Sequence, residues 1–368
     1  MRRLPGLDLL RAVAIAWVML FHSWTVGGLS KPFSGLQNTG WMGVDLFFVL
    51  SGYLIGGQLL RPLRDGMPLD FKAFYLRRSF RILPAYGVVL ALYFLLPGFN
   101  REGNLSPLWE YLTYTVNLLI DYNAQPGFSH VWSLCVEEHF YLLFPVVAWL
   151  LVWRRSKAAV FAMIASIFVG GMVLRGILWY HMQDRYLEVI YYPTYNRLDG
   201  LLAGVILAAI ELYRPGIWGW CGRHANTILL PAGLMMLTLS IVVFEDKVGL
   251  LATVVGYPML AVAMGLLVAA SASTSSLAAR VRLPGIQWVA MISYSLYLTH
   301  KAVFKWVQSW LPSWSHDERL LTFVIYAMAA LVAGAVLHYL VERPFLALRD
   351  RMTRAKLPTA AAGRAVCE

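Results

Sequence analysis

The sequence predicts an all-α polytopic membrane protein with about ten transmembrane helices and both termini in the cytoplasm. Hydrophobic residues make up 59% of the 368 positions, charged residues make up 14%, and the mean hydropathy is +0.60. This composition excludes a soluble domain, because a chain of this length could not bury so much apolar surface. The apolar residues also recur in runs that are long enough to cross a bilayer.

Ten apolar runs are predicted to span the membrane. They cover residues 7–26, 40–60, 82–98, 136–153, 158–180, 197–213, 227–244, 250–271, 286–306 and 319–341. A run at 111–120 is too short to cross and is predicted to lie at the interface or to fold back into the bundle. We expect one transmembrane domain over residues 1–345 and a basic cytoplasmic tail over residues 346–368.

The distribution of Lys and Arg predicts the orientation, because both residues favour cytoplasmic loops. With a cytoplasmic N-terminus, 21 of the 31 Lys and Arg residues fall on the inner side and seven on the outer side. The net charge of +11 therefore reports topology and contact with anionic lipid. We expect the lipid bilayer, and no nucleic acid, to be the partner of this charge.

Two ionisable residues, Arg11 and His22, lie inside the first apolar run. Such groups are costly within a span and usually mark a functional site. Their separation corresponds to about three helical turns, so both lie on one face about 16 Å apart. Alternatively, Arg11 extends to the nearer interface and His22 lies at the other one.

The loop between the second and third spans is strongly basic. It contains Arg61, Arg64, Lys72, Arg77, Arg78 and Arg81. On a helix, Arg78 and Arg81 present two guanidinium groups side by side, and this arrangement suits phosphate binding. On composition alone, contact with anionic lipid explains the loop more simply.

Carboxylates and imidazoles are predicted to meet at the outer side. Glu137, Glu138 and His139 open the fourth span at the depth of His22. A carboxylate beside a histidine fixes its tautomer and raises its basicity, as a general base acting on a hydroxyl requires. One of the two glutamates is expected to be merely interfacial.

Three more charged residues lie near the outer boundary. Asp45 opens the second span, and Arg197 and Asp199 stand two residues apart at the outer end of the sixth. Burial would favour mutual pairing of Arg197 and Asp199, so a structural salt bridge is the expected role of that pair.

Seven segments, in this order and at this spacing, carry a resemblance to a known family. They are Leu7–Ala12, Gly43–Tyr53, Phe74–Pro84, Trp132–Pro145, Arg197–Gly200, Ile292–His300 and Val341–Phe345. The chain resembles the acyltransferase-3 family of integral-membrane acyltransferases, which modify carbohydrates and some other hydroxylated acceptors. The resemblance spans nearly the whole chain and also implies ten spans with both termini inside.

The resemblance implies roles for individual residues. Arg11 and His22 would form the essential pair, Glu137 would be the motif carboxylate, and Arg78 and Arg81 would meet the acyl donor. Arg77 is predicted to join these two arginines at the acyl-CoA site. The predicted supporting pocket consists of Asp45, Ser51, Arg197, Asp199, His300 and His139.

Two residues depart from the family pattern, and both bear on the acceptor. His139 stands where Gln is usual, and Thr299 stands where an aromatic residue is common. The first is expected to alter hydrogen bonding around Glu137, and the second to reshape the pocket near His300. These departures therefore bear on the choice of acceptor and leave the type of reaction unchanged.

The expected activity is transfer of an acyl group, best taken as acetyl, from cytoplasmic acyl-CoA to a hydroxyl of an extracytoplasmic carbohydrate or glycolipid. Acyl-CoA is a co-substrate, and no bound cofactor or metal is expected. His22, oriented by Glu137 or another nearby carboxylate, would take the proton of the acceptor hydroxyl. Arg11 would line the donor channel or stabilise negative charge. The expected location is the prokaryotic inner membrane.

Alternative functions remain at this point. The acyl group could pass covalently through His22 or Ser51, although no base is visibly paired with Ser51 and the adjacent Gly52 suggests helix packing. Ten spans with buried charges would also suit a transporter or flippase for a saccharide or an acylated product. A sensing or scaffold protein with a degenerate site is disfavoured because each motif residue is present.

Overall fold

The computed structural model describes residues 4–29, 33–96, 98–154, 156–311 and 320–354. Within these ranges the chain forms helices and turns and no β-strand. The α-helices are α1 (Pro5–His22), α2 (Ser34–Thr39), α3 (Met42–Arg64), α4 (Phe71–Leu95), α5 (Leu108–Leu112), α6 (Val116–Leu119), α7 (Trp132–Arg154), α8 (Lys157–Met182), α9 (Asp199–Tyr213), α10 (Pro215–Arg223), α11 (Leu230–Val243), α12 (Tyr257–Ala272), α13 (Leu277–Arg280), α14 (Ile286–Trp310), α15 (Leu320–Leu337) and α16 (Arg343–Arg354).

Eight of the described helices are long and apolar enough to cross a membrane. If α9 and α10, which are bent by 108° relative to each other, together form one span, the described residues contain nine. The remaining predicted span, 286–306, coincides with α14, which is 25 residues long. Its Ser295, His300 and Lys301 side chains are buried inside the bundle. The polar residues that lower the hydropathy of α14 therefore face protein, as ionisable groups in a membrane should. The chain is a multi-pass, all-α membrane protein.

The helices define two ends of the bundle. The basic end is where α3 ends and α4 begins, and it carries the arginines from Arg61 to Arg81. The histidine end is opposite, where α1 ends at His22 and α3 begins. Asp70 caps α4 at the basic end by accepting a hydrogen bond from the backbone amide of Ala73 at 2.8 Å.

Helices α3 and α9 cross at glycines and pack closely against each other. A Cβ atom added to Gly52 would lie 2.0 Å from the carbonyl oxygen of Leu201, and one added to Gly204 would lie 2.2 Å from that of Val49. Only glycine permits so close an approach, which is the usual way in which membrane helices pack tightly. The interpretation of Gly52 as a packing residue is confirmed.

The run at 111–120 forms only the short helices α5 and α6, so the prediction that it does not cross the membrane is confirmed. The Asn117 side chain donates to the backbone oxygen of Tyr192 at 3.2 Å. This contact holds α6 against the segment between α8 and α9.

The first part of the predicted tail continues as α16, and the ring of Phe345 lies 6.4 Å from that of Phe80 on α4. Residues 355–368 of the tail, like residues 1–3, lie outside the described residues.

Candidate active site

A pair of histidines lies at the histidine end. The Nδ1 atom of His22 is 2.9 Å from the Nε2 atom of His300, and the Nδ1 atom of His300 is 2.7 Å from the carbonyl oxygen of Tyr297. A carbonyl can only accept, so the proton of neutral His300 is assigned to Nδ1 and its Nε2 accepts from His22. The proton of neutral His22 is then on Nδ1. Its Nε2 atom has no hydrogen-bond partner among the described residues, so its lone pair can take a proton.

Buried polar groups surround this pair. The ring of His130 lies 5.2 Å from the ring of His300 between centroids. The Lys301 ammonium is 2.7 Å from a carboxylate oxygen of Glu102, whose carboxylate also accepts from the hydroxyl of Tyr93. Glu102 precedes α5, so this ion pair holds the segment between α4 and α7 against α14. Sequence reasoning missed His130 and Glu102, because their contacts are with residues distant in sequence.

A cavity of about 820 Å³ runs into the bundle from the basic end. Among the residues that the structure describes, six arginines line it, namely Arg11, Arg61, Arg77, Arg78, Arg81 and Arg349. Four carboxylates in the same part of the chain also line it, namely Asp65, Glu137, Glu138 and Asp350. The structure thus brings Arg11 and the three predicted donor-binding arginines to one space. The sequence did not indicate that Arg349 of α16 would join them.

The predicted arginine pair occupies different environments within the cavity. Arg78 donates to the side-chain oxygen of Gln58 at 2.9 Å, and its guanidinium lies 5.4 Å from the ring centroid of Tyr141. The Arg81 guanidinium is 3.6 Å from a carboxylate oxygen of Glu342, and its side chain is 36% exposed. Arg78 is therefore held by neutral partners, whereas Arg81 is partly neutralised at the edge of the cavity.

Glu137 bonds to Ser51 and Tyr141. Its Oε1 atom accepts from the Ser51 hydroxyl at 3.1 Å, and its Oε2 atom accepts from the Tyr141 hydroxyl at 2.6 Å. The expectation that Ser51 has no paired base is therefore wrong, because a carboxylate from α7 reaches it across the cavity. The Nδ1 atom of His22 bonds to His300. His22 is therefore oriented by an imidazole, whereas Glu137 or another carboxylate was expected in that role.

His139 forms a hydrogen bond with a residue that Glu137 does not contact. Its Nδ1 atom is 2.7 Å from the hydroxyl oxygen of Thr194, in the segment before α9. The expected effect of His139 on the hydrogen bonds of Glu137 does not arise through a direct contact. His139 holds α7 to the segment that leads into α9.

The expected pairing of Arg197 with Asp199 is wrong. Arg197 donates to both carboxylate oxygens of Asp45 at 3.0 Å, and Asp199 accepts from Arg175 at 2.8 Å. Residues two apart at a helix start point in different directions, so each finds a partner on another helix. The Arg197 guanidinium also lies 4.3 Å from the ring centroid of Tyr257.

These two buried ion pairs join α3, α8 and α9 beside the cavity, which fits the predicted structural role. Arg175 was not singled out from the sequence. An ionisable residue in the middle of the apolar run 158–180 is the signal that could have found it.

The fold and the site define a multi-pass membrane protein in which an arginine-lined cavity leads towards a histidine pair made of the buried His300 and the half-buried His22. The chain belongs to the acyltransferase-3 family, whose model, described as an acyltransferase domain, matches residues 4–339. This finding confirms the resemblance that the seven sequence segments carry.

Two relatives illustrate the similarity. The chain is 28% identical over 373 residues to Putative O-acetyltransferase SACOL0978 of Staphylococcus aureus (strain COL), covering 94% of this chain and 58% of the relative. It is also 28% identical over 330 residues to O-acetyltransferase OatA of Staphylococcus aureus (strain NCTC 8325 / PS 47), covering 84% and 52%. The chain thus spans little more than half the length of these curated relatives. No solved structure matches the chain.

Proposed function

We propose that this chain is a membrane O-acyltransferase that moves an acetyl group from cytoplasmic acetyl-CoA to a hydroxyl of an extracytoplasmic carbohydrate or glycolipid. One observation carries the proposal: a cavity lined by arginines extends to Tyr297, whose ring lies 5.7 Å between centroids from that of His300, and His300 orients the His22 nitrogen that can act as a base. The names of the two relatives support O-acetylation. The Lys and Arg bias supports a cytoplasmic basic end. The two relatives from Staphylococcus aureus support a location in a prokaryotic inner membrane.

The donor occupies the cavity in this proposal. Its phosphates bind the arginines at the basic end, because guanidinium groups match phosphate oxygens in charge and geometry. The narrow pantetheine arm extends into the bundle past Ser51 and Glu137, which can bond its amides. A volume of about 820 Å³ lies within the usual range of small-molecule and cofactor pockets.

His22 is the general base in the transfer. Its Nε2 atom takes the proton of the acceptor hydroxyl as that oxygen attacks the thioester carbonyl. The carbon–sulfur bond then breaks, and the sulfur takes the proton from His22 and leaves as the thiol of CoA. His300 holds the His22 ring in the tautomer that leaves Nε2 free. Arg11 lies about 16 Å from His22 along α1 and lines the donor cavity. That separation favours a role in the donor channel over direct stabilisation of the reacting carbonyl.

The test uses membranes that contain the wild type, His22→Ala or His181→Ala, supplied with radiolabelled acetyl-CoA and an extract of cell-envelope glycans. His181 is an exposed histidine near the end of α8 and serves as the matched control. We expect the wild type and the control to label glycan and His22→Ala to transfer about 10²–10⁴-fold more slowly. Wild-type transfer by His22→Ala would contradict the proposed role of His22. If the wild type binds acetyl-CoA but labels no acceptor, the result would favour a transporter over an acyltransferase.

The donor site has a separate test in the same membranes. Arg78→Ala and Arg81→Ala are expected to raise the KM for acetyl-CoA more than they lower kcat, because they remove contacts made before the chemical step. Arg64→Ala is the matched control, since Arg64 belongs to the same basic segment but pairs with Asp65 at 2.7 Å. An unchanged KM in both cavity variants would exclude the arginines as the donor site.

A further inference from the structure

The Tyr297 side chain borders both the cavity and the histidine pair. Tyr297 and Ser133 belong to the cavity lining near the histidine end, whereas His22 and His300 do not line the cavity. The ring centroid of Tyr297 lies 5.6 Å from that of His130 and 5.7 Å from that of His300. The tyrosine ring therefore has the donor cavity on one side and the imidazole cluster on the other.

The hydroxyl of Tyr297 holds the ring in this position. It lies 2.6 Å from the carbonyl oxygen of His130 and 2.6 Å from the Ser133 hydroxyl. The carbonyl can only accept, so the Tyr297 proton is donated to His130 and Ser133 donates to the tyrosine oxygen. All three residues are buried, so each bond satisfies polar groups that solvent does not reach.

The backbone of the same residue has a second function. The carbonyl oxygen of Tyr297 accepts from His300 and so fixes the tautomer of the histidine pair. Rotation about the Tyr297 side-chain bonds would move the ring without moving this carbonyl. The passage can therefore open while His300 continues to orient His22.

We propose that the Tyr297 side chain is a gate between the donor cavity and His22, and that the width it leaves selects the acyl group that passes. This inference rests on the proposed acyl transfer. When the gate is closed, the donor thioester is kept from the His22 base and from water near it. When the ring turns away from Ser133 and His130, the acyl group reaches His22 Nε2 and the acceptor.

The gate has a chemical consequence when no acceptor is present. With the passage open, His22 would take a proton from water, the water oxygen would bond to the thioester carbonyl, and the carbon–sulfur bond would break. The sulfur takes up the proton, and the products are the free acid and CoA. A closed Tyr297 suppresses this hydrolysis because it excludes water from the reacting atoms.

The experiment compares purified full-length wild type, Tyr297→Ala, Tyr297→Phe and Ser133→Ala. The control is Tyr186→Phe, which removes another buried tyrosine hydroxyl that lies 3.0 Å from the Tyr257 hydroxyl. Release of free thiol from acetyl-CoA and from hexanoyl-CoA is measured without acceptor, together with the KM for each donor. Because the arginines are untouched, the KM for acetyl-CoA should stay near the wild-type value.

We expect Tyr297→Ala to raise acceptor-independent hydrolysis of acetyl-CoA by about tenfold or more and to admit hexanoyl-CoA, since the ring no longer excludes water. Tyr297→Phe and Ser133→Ala should show smaller increases, because the ring remains and only its hydrogen bonds are lost. Tyr186→Phe should behave as the wild type. Adding His22→Ala to Tyr297→Ala should abolish the hydrolysis, which places the reaction at His22 and excludes general loosening of the fold.

The proposal is overturned if Tyr297→Ala binds donor normally and keeps the hydrolysis rate and acyl preference of the wild type. Should Tyr297→Ala fail to fold, unchanged hydrolysis in both Tyr297→Phe and Ser133→Ala would overturn it equally. If the wild type transfers acetyl groups and the Tyr297 variants show its hydrolysis rate and acyl preference, the gate is rejected and the proposed function stands. A wild type that neither binds nor cleaves acetyl-CoA rejects the proposed function with it.

Discussion

At the scale of single residues, two hydrogen bonds in series decide where the proton of His22 lies. The carbonyl of Tyr297 sets the tautomer of His300, and His300 sets that of His22. We expect His300→Ala to lower kcat about 10–100-fold, because a partner that orients a reactive histidine contributes about that much. Initial rates at saturating donor would measure the loss. His300→Gln should recover part of the rate, since its side-chain oxygen can still accept from His22.

That recovery separates orientation from packing. If His300→Gln is as slow as His300→Ala, the bond to His22 is not what His300 contributes. If both variants are as fast as the wild type, the series of hydrogen bonds has no role in catalysis.

Ser51 and Glu137 distinguish direct from covalent transfer. Their 3.1 Å contact resembles a nucleophile beside a base, but it lies within the cavity, on the donor side of Tyr297. Direct transfer predicts that Ser51→Ala retains activity within about tenfold, as expected for loss of one hydrogen bond to the donor. Loss of all transfer by Ser51→Ala, together with acetyl-labelled wild-type protein, would instead favour an acyl-serine intermediate.

The buried pair of Asp45 and Arg197 makes a stability prediction. Both side chains are almost fully buried, so removing one leaves an uncompensated charge in a low-dielectric interior. Asp45→Asn or Arg197→Met should lower the free energy of unfolding by about 3–5 kcal/mol, measured by thermal or denaturant unfolding in detergent. Arg185→Ala, which removes the exposed partner of Glu188, should change the stability little. Equal effects in the two pairs would contradict the argument.

Much of the candidate site could be predicted from residue type, and its connections could not. Arg11 and His22 are conspicuous because ionisable groups are rare within apolar runs. The partner of each buried charge depends on how helices rotate against one another. The sequence therefore suggested Asp199 for Arg197, whereas tertiary packing supplies Asp45 from α3.

At the scale of secondary-structure elements, the crossing of α3 and α9 sets the position of Ser51 and Asp45. Replacing a helical glycine by alanine normally favours the helix by about 1 kcal/mol. At Gly52 or Gly204 the added methyl group would meet backbone 2.0–2.2 Å away, so the helices must separate. We expect Gly52→Ala and Gly204→Ala to lower stability by about 1–3 kcal/mol, as overpacking usually does.

Gly87 on α4 provides the control, because a Cβ atom there would have nothing within 4 Å. Gly87→Ala should leave the unfolding midpoint unchanged or raise it slightly. The midpoints of the three variants, measured side by side in detergent, decide the question. A Gly52→Ala variant as stable as Gly87→Ala would show that the crossing has room to relax.

Hydropathy located the helices well and was least informative for α14. A span that faces lipid must be apolar, and that requirement is visible in the sequence. α14 instead turns Ser295, His300 and Lys301 towards protein, so its composition reflects its neighbours more than the membrane. The same helix supplies His300 and Tyr297, which explains why the least apolar span contributes most to the histidine end.

At the scale of the whole molecule, the proposed reaction requires the two ends of the bundle to face opposite compartments. The donor is made in the cytoplasm, so the basic end must face inwards, as the Lys and Arg distribution predicts. Single-cysteine variants can test this in intact cells, if the three native cysteines of the protein are first replaced. Lys72→Cys lies at the start of α4 at the basic end, and Asp184→Cys lies just after α8 at the histidine end.

We expect a membrane-impermeant thiol reagent to label Asp184→Cys in intact cells and to label Lys72→Cys only after the membrane is opened. Both positions are exposed, so a difference in labelling reports the side of the membrane rather than burial. Labelling of both variants, or of neither, in intact cells would place both ends on one side and exclude transfer across the bilayer. The reversed pattern would put the arginine-lined mouth outside, where acyl-CoA is absent, and the cavity would then need a different phosphorylated ligand.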